Sequence, residues 1–143
     1  MTPEVMINKS NGHLSISTDI EVAPKDSFEK VDNLKLGEIQ ETDDMKNGYK
    51  WLITKNVKIN QQYFILRFCF FNEEFMMLQF IVDDTKFDHE GNWGSGEKEK
   101  SKELKYRNWV NDKLGHEGQF PWGEVSASYD PKGGFSSIVI KYT

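Results

Sequence analysis

The sequence predicts an α+β domain, with a mainly antiparallel sheet of about five to seven strands, one long helix packed on a face and a short N-terminal helix. Two features of the chain support this prediction. Several segments alternate apolar and polar residues with a period of two, or are apolar throughout, which is typical of strands. One later segment repeats apolar residues at helical spacing, and this spacing predicts the long helix.

The length and composition of the chain fit a single domain over residues 1–143. A chain of 143 residues with 13% aromatic residues can form a core that needs neither disulfide bonds nor a metal. The single cysteine, Cys69, lies between two phenylalanines and is expected to be a small buried core residue. A reducing cytoplasm is therefore the expected compartment.

Charge and hydropathy argue against two classes of partner. The net charge is −5, and the lysines of Glu97–Lys105 are interleaved with glutamates, whereas nucleic-acid-binding proteins usually carry a basic patch. The longest apolar run, Tyr63–Phe71, is interrupted by Arg67 and is far shorter than the roughly 20 residues that span a bilayer. Met1–Ser10 also lacks the pattern of a secretory signal. We therefore expect no nucleic-acid or membrane partner.

The first third of the chain predicts three elements. His13–Val22 alternates apolar and polar residues and is expected to be a strand. Asp26–Leu34 is expected to form the short helix, with Asp26 as its N-cap and Glu29 completing a capping box. Glu38–Gly48 is polar and acidic, and is predicted to be an exposed loop that ends in a turn.

Three strands are predicted next, over Tyr49–Ile59, Tyr63–Phe71 and Glu74–Val82, and Asn72-Glu73 is short enough for a hairpin turn. The second and third strands are apolar in both registers, which is typical of strands covered on both faces. Either other parts of the chain pack on each face of the sheet, or one face meets a partner.

The long helix is predicted over Glu97–Leu114, after a polar loop over Asp83–Gly96 and with Ser95 as a possible N-cap. Its apolar stripe consists of Leu104, Trp109, Val110 and Leu114, with Tyr106 at the edge. Gly115 suits the position after the last helical residue. The chain is then expected to end in a hairpin, whose strands are joined by a turn over Asp130–Gly134.

Candidate ligands and catalytic groups lie mainly in polar loops. Asp88 and His89 could offer ligands to a cation, but their loop lacks the spacing of an EF-hand or a zinc site, so a solvated acidic loop is the alternative. His116 follows the long helix, and no spacing implies a nucleophile or carboxylate beside it. The sequence has no nucleotide, phosphate or hydrolase motif. We expect neither a metal nor a cofactor.

The candidate binding residues are aromatic and charged side chains in predicted loops, turns and strand ends: Trp93, Trp122, Tyr129, Asp43, Asp44, Asp88 and Lys132. Trp93 and Trp122 lie in Gly- and Pro-flanked segments, where each could anchor a partner or cover the core. Lys132 and the two glycines after it could form an anion-binding nest, or could serve only the geometry of the turn. The acidic residues would suit a basic partner.

The C-terminal third also carries a recognisable pattern. It begins with Trp93, Glu97–Leu104, Tyr106, Trp109 and Leu114, and continues with Phe120-Pro121-Trp122-Gly123-Glu124-Val125, Tyr129-Asp130-Pro131-Lys132-Gly133-Gly134 and Ser137-Ile138-Val139-Ile140-Lys141-Tyr142. Over roughly the last fifty residues, this pattern resembles a family of small bacterial proteins without an assigned activity. In size, acidity and helix-plus-sheet layout the members of this family are similar to immunity proteins of bacterial toxin systems. The resemblance implies a protein partner and provides no catalytic residues.

Three functions follow as hypotheses. The leading one is a non-enzymatic protein-binding module of the immunity or inhibitor kind, because the chain combines acidity, aromatic anchors and no catalytic motif. Alternatively, a small apolar ligand could occupy a pocket between sheet and helix. A second alternative is an enzyme with a dispersed site that uses Asp88, His89 or His116.

Overall fold

The computed structural model describes residues 6–87, 96–130 and 135–143, and for 96–101 and 135 it describes the backbone alone. The elements in chain order are β1 (Leu14–Ser17), β2 (Ile20–Val22), α1 (Phe28–Asp32), β3 (Ile39–Asp44), β4 (Tyr49–Ile59), β5 (Gln62–Phe71), β6 (Glu74–Asp83), α2 (Gly96–Leu114), β7 (Gly118–Phe120), β8 (Gly123–Asp130) and β9 (Phe135–Tyr142). The predicted α+β class, with one long helix and a short N-terminal helix, is confirmed.

The main sheet has seven strands in the order β3-β4-β5-β6-β9-β8-β7, and every neighbouring pair is antiparallel. β1 and β2 form a separate two-stranded hairpin. The turns Asn60-Gln61 and Asn72-Glu73 join β4 to β5 and β5 to β6, and all four residues have positive φ. Positive φ at both central residues is the geometry of a type I′ turn, whose twist matches that of the flanking strands.

One face of the sheet, the inner face, forms the core. Phe64, Leu66 and Phe68 of β5 lie on it and are almost completely buried. α2 packs over β8 and β9 on this face, where the Trp109 ring contacts Phe64 and the ring of Phe80, with centroid distances of 6.1 and 5.4 Å. The long helix therefore covers one face, as predicted.

The apolar stripe of α2 differs from the prediction at one residue. Leu104 is 65% exposed, whereas Tyr106 is 1% exposed and belongs to the core with Trp109, Val110 and Leu114. Successive residues of a helix are about 100° apart, so Leu104 lies about 200° from Tyr106 and points away from the sheet.

The predicted loop over Glu38–Gly48 is wrong for Ile39–Asp44, which form β3 and pair with β4 along their whole length. This segment has one apolar residue and its last four residues are exposed. Because an edge strand is held by backbone hydrogen bonds on one side, it needs no alternation of apolar residues. The sequence pattern therefore gave no signal for this strand.

Two predictions near the N-terminus are also corrected. His13–Val22 is a hairpin of two strands with a turn at Thr18-Asp19, and is not one strand. The N-cap of α1 is Ser27, whose Oγ accepts a hydrogen bond from the Lys30 amide at 3.1 Å. Asp26 instead accepts hydrogen bonds from the Ala23 amide and the Lys30 ammonium, at 2.8 and 2.7 Å. Its carboxylate thus fixes the turn before the helix.

Candidate protein-interaction surface

The outer face of the sheet, opposite α2, carries exposed apolar side chains at the end near the β3–β4 turn. This aromatic patch consists of Met45, Tyr49, Trp51, Phe71 and Met77. Met45, Tyr49 and Phe71 are 49%, 39% and 41% exposed, and Trp51 and Met77 are half-buried. The rings of Tyr49 and Phe71 are in contact, with centroids 4.7 Å apart. Leu104 of α2 is the other large apolar side chain that is exposed in the described part of the chain.

Strand register explains why these side chains lie together. Tyr49 is opposite Phe71, and Trp51 and Met77 are both opposite Cys69, so all of them point to the same face. The Met45 amide donates to the carbonyl of Tyr49 at 3.0 Å, which continues the β3–β4 ladder and places Met45 opposite Tyr49, within the patch. At the other end of the outer face, Ile65 and Ile81 are buried.

Arg67 supports the aromatic patch from the side. Its guanidinium carbon lies 4.9 Å from the centroid of the Trp51 ring, a cation–π contact. Its Nη1 donates to Gln79 Oε1 at 3.0 Å, and Gln79 Nε2 donates to Ser137 Oγ at 3.1 Å. Burial lowers the pKa of Arg67, while the Asp43 carboxylate acts in the opposite direction. This network, which crosses three strands, fixes the orientation of the Trp51 ring.

Cys69 lies beneath the patch, between Trp51 and Met77. It is 2% exposed, and burial raises the pKa of its thiol. A protonated, buried thiol is a poor nucleophile. The prediction that Cys69 is a buried core residue is therefore confirmed.

An acidic border lies along one side of the aromatic patch. Glu41, Asp43 and Asp44 of β3 are all exposed. Asp43 is directly opposite Trp51, so its carboxylate lies next to the patch and on the same face. Asp44 is opposite Lys50 and points to the other face of the sheet. Of these two predicted binding residues, Asp43 therefore lies beside the patch and Asp44 does not, and their roles in binding stay predictions.

Trp122, another predicted binding residue, is 9% exposed and contacts both the N-terminal segment at Lys9 and the C-terminal strand β9 at Tyr142. Its Nε1 donates to the Lys9 carbonyl at 2.7 Å, and its ring stacks on Phe120 with centroids 4.9 Å apart. Gly12, with a φ of +75°, packs directly against this ring, since a Cβ there would lie 2.4 Å from Trp122 Cε3. These contacts give Trp122 a structural role, and its role in binding stays a prediction.

The remaining predicted binding residues lie apart from the patch or outside the described residues. Tyr129 is half-buried on β8, opposite Ser136 of β9, and is separated from β4 by several strands. Trp93, Asp88 and Lys132 are outside the described residues, and so is His89. Their roles stay predictions.

The two alternative functions find little support in the described residues. The space between α2 and the sheet beside Trp109 is about 10 Å³, which is enough for about one water molecule. His116 stacks on Phe120 with centroids 4.4 Å apart, and its Nδ1 lies 2.7 Å from the Glu117 carbonyl. Neither contact provides the carboxylate or nucleophile that acid–base catalysis by His116 would need.

Within residues 6–87, 96–130 and 135–143, no three His, Cys, Asp or Glu side chains are grouped so that they could hold a metal ion. No helix in these ranges combines the length and the apolar character needed to cross a bilayer.

Comparison with known proteins gives a likeness in fold. No protein-family model and no curated protein sequence matches this chain. A chain in the solved structure of Rhs1-CT in complex with cognate immunity protein RhsI1 is similar, with a TM-score of 0.56 and 16% sequence identity. The match covers 97% of this chain and 87% of that chain. At this level of identity the likeness concerns the fold alone.

Proposed function

We propose that this protein binds one specific partner protein and neutralises it, as an immunity protein does, with the aromatic patch at the centre of the contact. The observation that carries the proposal is the patch itself: Met45, Tyr49, Trp51, Phe71 and Met77 on the face opposite α2. Aromatic residues and Met are enriched at protein interfaces, and Trp and Tyr carry much of the binding energy there.

The rigidity of the surface supports the same proposal. Trp51 and Phe71 lie on neighbouring strands, and the contact with Arg67 holds the Trp51 ring in place before a partner arrives. A side chain that is already ordered loses less conformational entropy on binding. The patch is therefore suited to tight binding of one partner, which neutralisation requires.

The fold comparison supports a protein partner at a coarser level. The similar structure is that of a complex between Rhs1-CT and its cognate immunity protein. The resemblance of the C-terminal sequence pattern to small bacterial proteins similar to immunity proteins agrees with this. Both observations favour a partner-binding, non-enzymatic role, and neither of them identifies the partner.

The binding test begins with affinity capture of the partner from the native host, followed by isothermal titration calorimetry with the purified partner. We expect Trp51→Ala to weaken binding by about thirtyfold or more, because truncation of a central anchor costs roughly 2 kcal/mol. Leu104→Ala is the matched control, since Leu104 is exposed on α2, away from the outer face. Equal affinity of wild type and Trp51→Ala would disprove binding through the patch.

Neutralisation is tested separately in cells. Expression of the captured partner alone should slow growth, and coexpression with this protein should restore it. Coexpression with Trp51→Ala should restore growth less well at equal protein levels, whereas Leu104→Ala should act like wild type. If the partner binds tightly but never slows growth, this protein is a binding protein and the immunity role is disproved.

A further inference from the structure

We infer that β3 is the docking edge for an extended, lysine- or arginine-bearing strand of the partner, which adds an eighth strand to the sheet. This inference rests on the proposed function and deepens it by naming the kind of segment that is bound. In strand addition, backbone hydrogen bonds supply affinity and the side chains of the added strand supply specificity.

One edge of the β3 backbone is not paired with any strand in the described part of the chain. Among the described strands, β3 pairs with β4 alone. The bond from the Met45 amide to the Tyr49 carbonyl identifies these two residues as a hydrogen-bonded pair. Because such pairs alternate along an antiparallel ladder, Asp43 and Glu41 also face β4 with their backbone groups. The N–H and C=O groups of Gln40, Thr42 and Asp44 therefore point away from the sheet.

A hydrogen bond on the other side of β4 confirms which residues direct their backbone groups to β3. The Asn72 amide donates to the Gly48 carbonyl at 2.9 Å, so the even-numbered residues of β4 direct their backbone groups to β5. The odd-numbered residues of β4 then face β3, as the bond at Tyr49 requires.

The two edge strands of the seven-stranded sheet, β3 and β7, differ in length and in how accessible they are to an added strand. β7, the other edge, has three residues, and its Phe120 is stacked between His116 and Trp122. β3 has six residues, and the four from Glu41 to Asp44 are exposed. Proteins usually shorten or cover an edge strand to prevent unwanted pairing. The β7 edge is short, as this rule expects, whereas β3 offers a long edge.

The negative charge of β3 indicates which kind of strand can pair with its edge. Three of the four exposed residues are acidic, namely Glu41, Asp43 and Asp44. A second copy of this chain paired through β3 would bring these carboxylates close to one another, and opposed like charges destabilise strand pairs. A strand with Lys or Arg at the facing positions would form attractive cross-strand pairs instead. The edge therefore suits a basic strand and disfavours a second copy.

The test uses a synthetic ten-residue peptide of alternating Lys and Thr with blocked termini, and a matched peptide of alternating Glu and Thr. Amide hydrogen exchange of the 15N-labelled protein is followed by NMR. We expect the Lys peptide to slow exchange of the Thr42 and Asp44 amides by about tenfold, because these groups gain hydrogen-bond partners. The Glu peptide should leave both rates unchanged.

Thr42→Pro provides the decisive variant. The Thr42 N–H points away from β4, so proline removes one bond to the added strand and none within the sheet. We expect Thr42→Pro to abolish protection of the Asp44 amide by the Lys peptide, and Thr42→Ala, which keeps the N–H, to retain it. Unchanged exchange in β4 and β5 verifies that the proline variant is folded.

Several outcomes would overturn the inference. One is the absence of protection at millimolar Lys peptide, and another is equal protection in Thr42→Pro. Protection that grows with protein concentration without any peptide would show that the edge binds a second copy. Because the peptide assay needs no partner, it can fail while calorimetry confirms binding at the aromatic patch, so the two proposals can be rejected separately.

Discussion

The inner and outer faces of the sheet use the same residue type for different purposes. Phe68 and Phe71 both lie on β5, three residues apart. Phe68 is completely buried and contacts Phe75 edge to face, with ring centroids 5.5 Å apart, whereas Phe71 is 41% exposed. The two faces of this strand therefore differ at this end, since Phe68 belongs to the core and Phe71 is largely exposed.

The largest effect is expected on the inner face. Phe68→Ala should lower the free energy of unfolding by about 3–5 kcal/mol, because it removes buried ring surface and leaves a cavity. Urea denaturation followed by tryptophan fluorescence measures this change. A loss below about 1 kcal/mol would mean that the inner face is packed loosely, and the contrast between the faces would then disappear.

A smaller effect is expected at Asn56, where a bulge interrupts the alternation of β4. Its Oδ1 accepts from the Phe87 amide at 2.7 Å and its Nδ2 donates to the Phe87 carbonyl at 3.0 Å, while its φ is +57°. Asn56→Ala should cost about 1–3 kcal/mol, because it loses these bonds and places alanine in a left-handed conformation. Asn56→Gly keeps the backbone relaxed and isolates the hydrogen bonds, so its unfolding midpoint should lie between those of Asn56→Ala and wild type.

The burial of Tyr142, at the border of the inner face, can be tested by measuring stability as a function of pH. Tyr142 donates its hydroxyl to the Gly12 carbonyl at 2.8 Å, and burial raises its pKa. The unfolded chain loses the phenolic proton near pH 10, so the folded state binds more protons above that pH and stability falls as pH rises. Tyr142→Phe should be about 1 kcal/mol less stable at neutral pH but should lose less stability between pH 10 and 11. Parallel stability curves for the two proteins would contradict this role of burial.

The smallest change in stability is expected on the outer face. Phe71→Ala should alter the free energy of unfolding by at most about 1 kcal/mol, because the ring is largely exposed and loses mainly its contact with Tyr49. The same variant should weaken partner binding, as Trp51→Ala does. A stability loss as large as that of Phe68→Ala would show that the outer face is part of the core.

The elements that the sequence predicted correctly are those whose buried residues form a clear apolar pattern. β4, β5 and β6 were predicted to within one residue, since Phe64, Leu66 and Phe68 must be covered. β3 was missed because backbone pairing holds it, and backbone groups carry no signal in the side-chain pattern. The aromatic patch was missed for a related reason. In the sequence, apolar residues that are exposed on one face of a strand give the same pattern as apolar residues that are buried in the core. The polar Lys50 between Tyr49 and Trp51 was the one available signal.

The strand order implies a sequence of events during synthesis. β3 to β6 are neighbours in the chain and joined by tight turns, so they can pair as soon as they emerge. β9, however, is the neighbour of β6 in the sheet, and more than fifty residues separate their starts. Until β9 arrives, the backbone edge of β6 is unpaired, which exposes a nascent chain to aggregation. The C-terminal hairpin therefore completes folding, and truncation of β9 should yield an insoluble product.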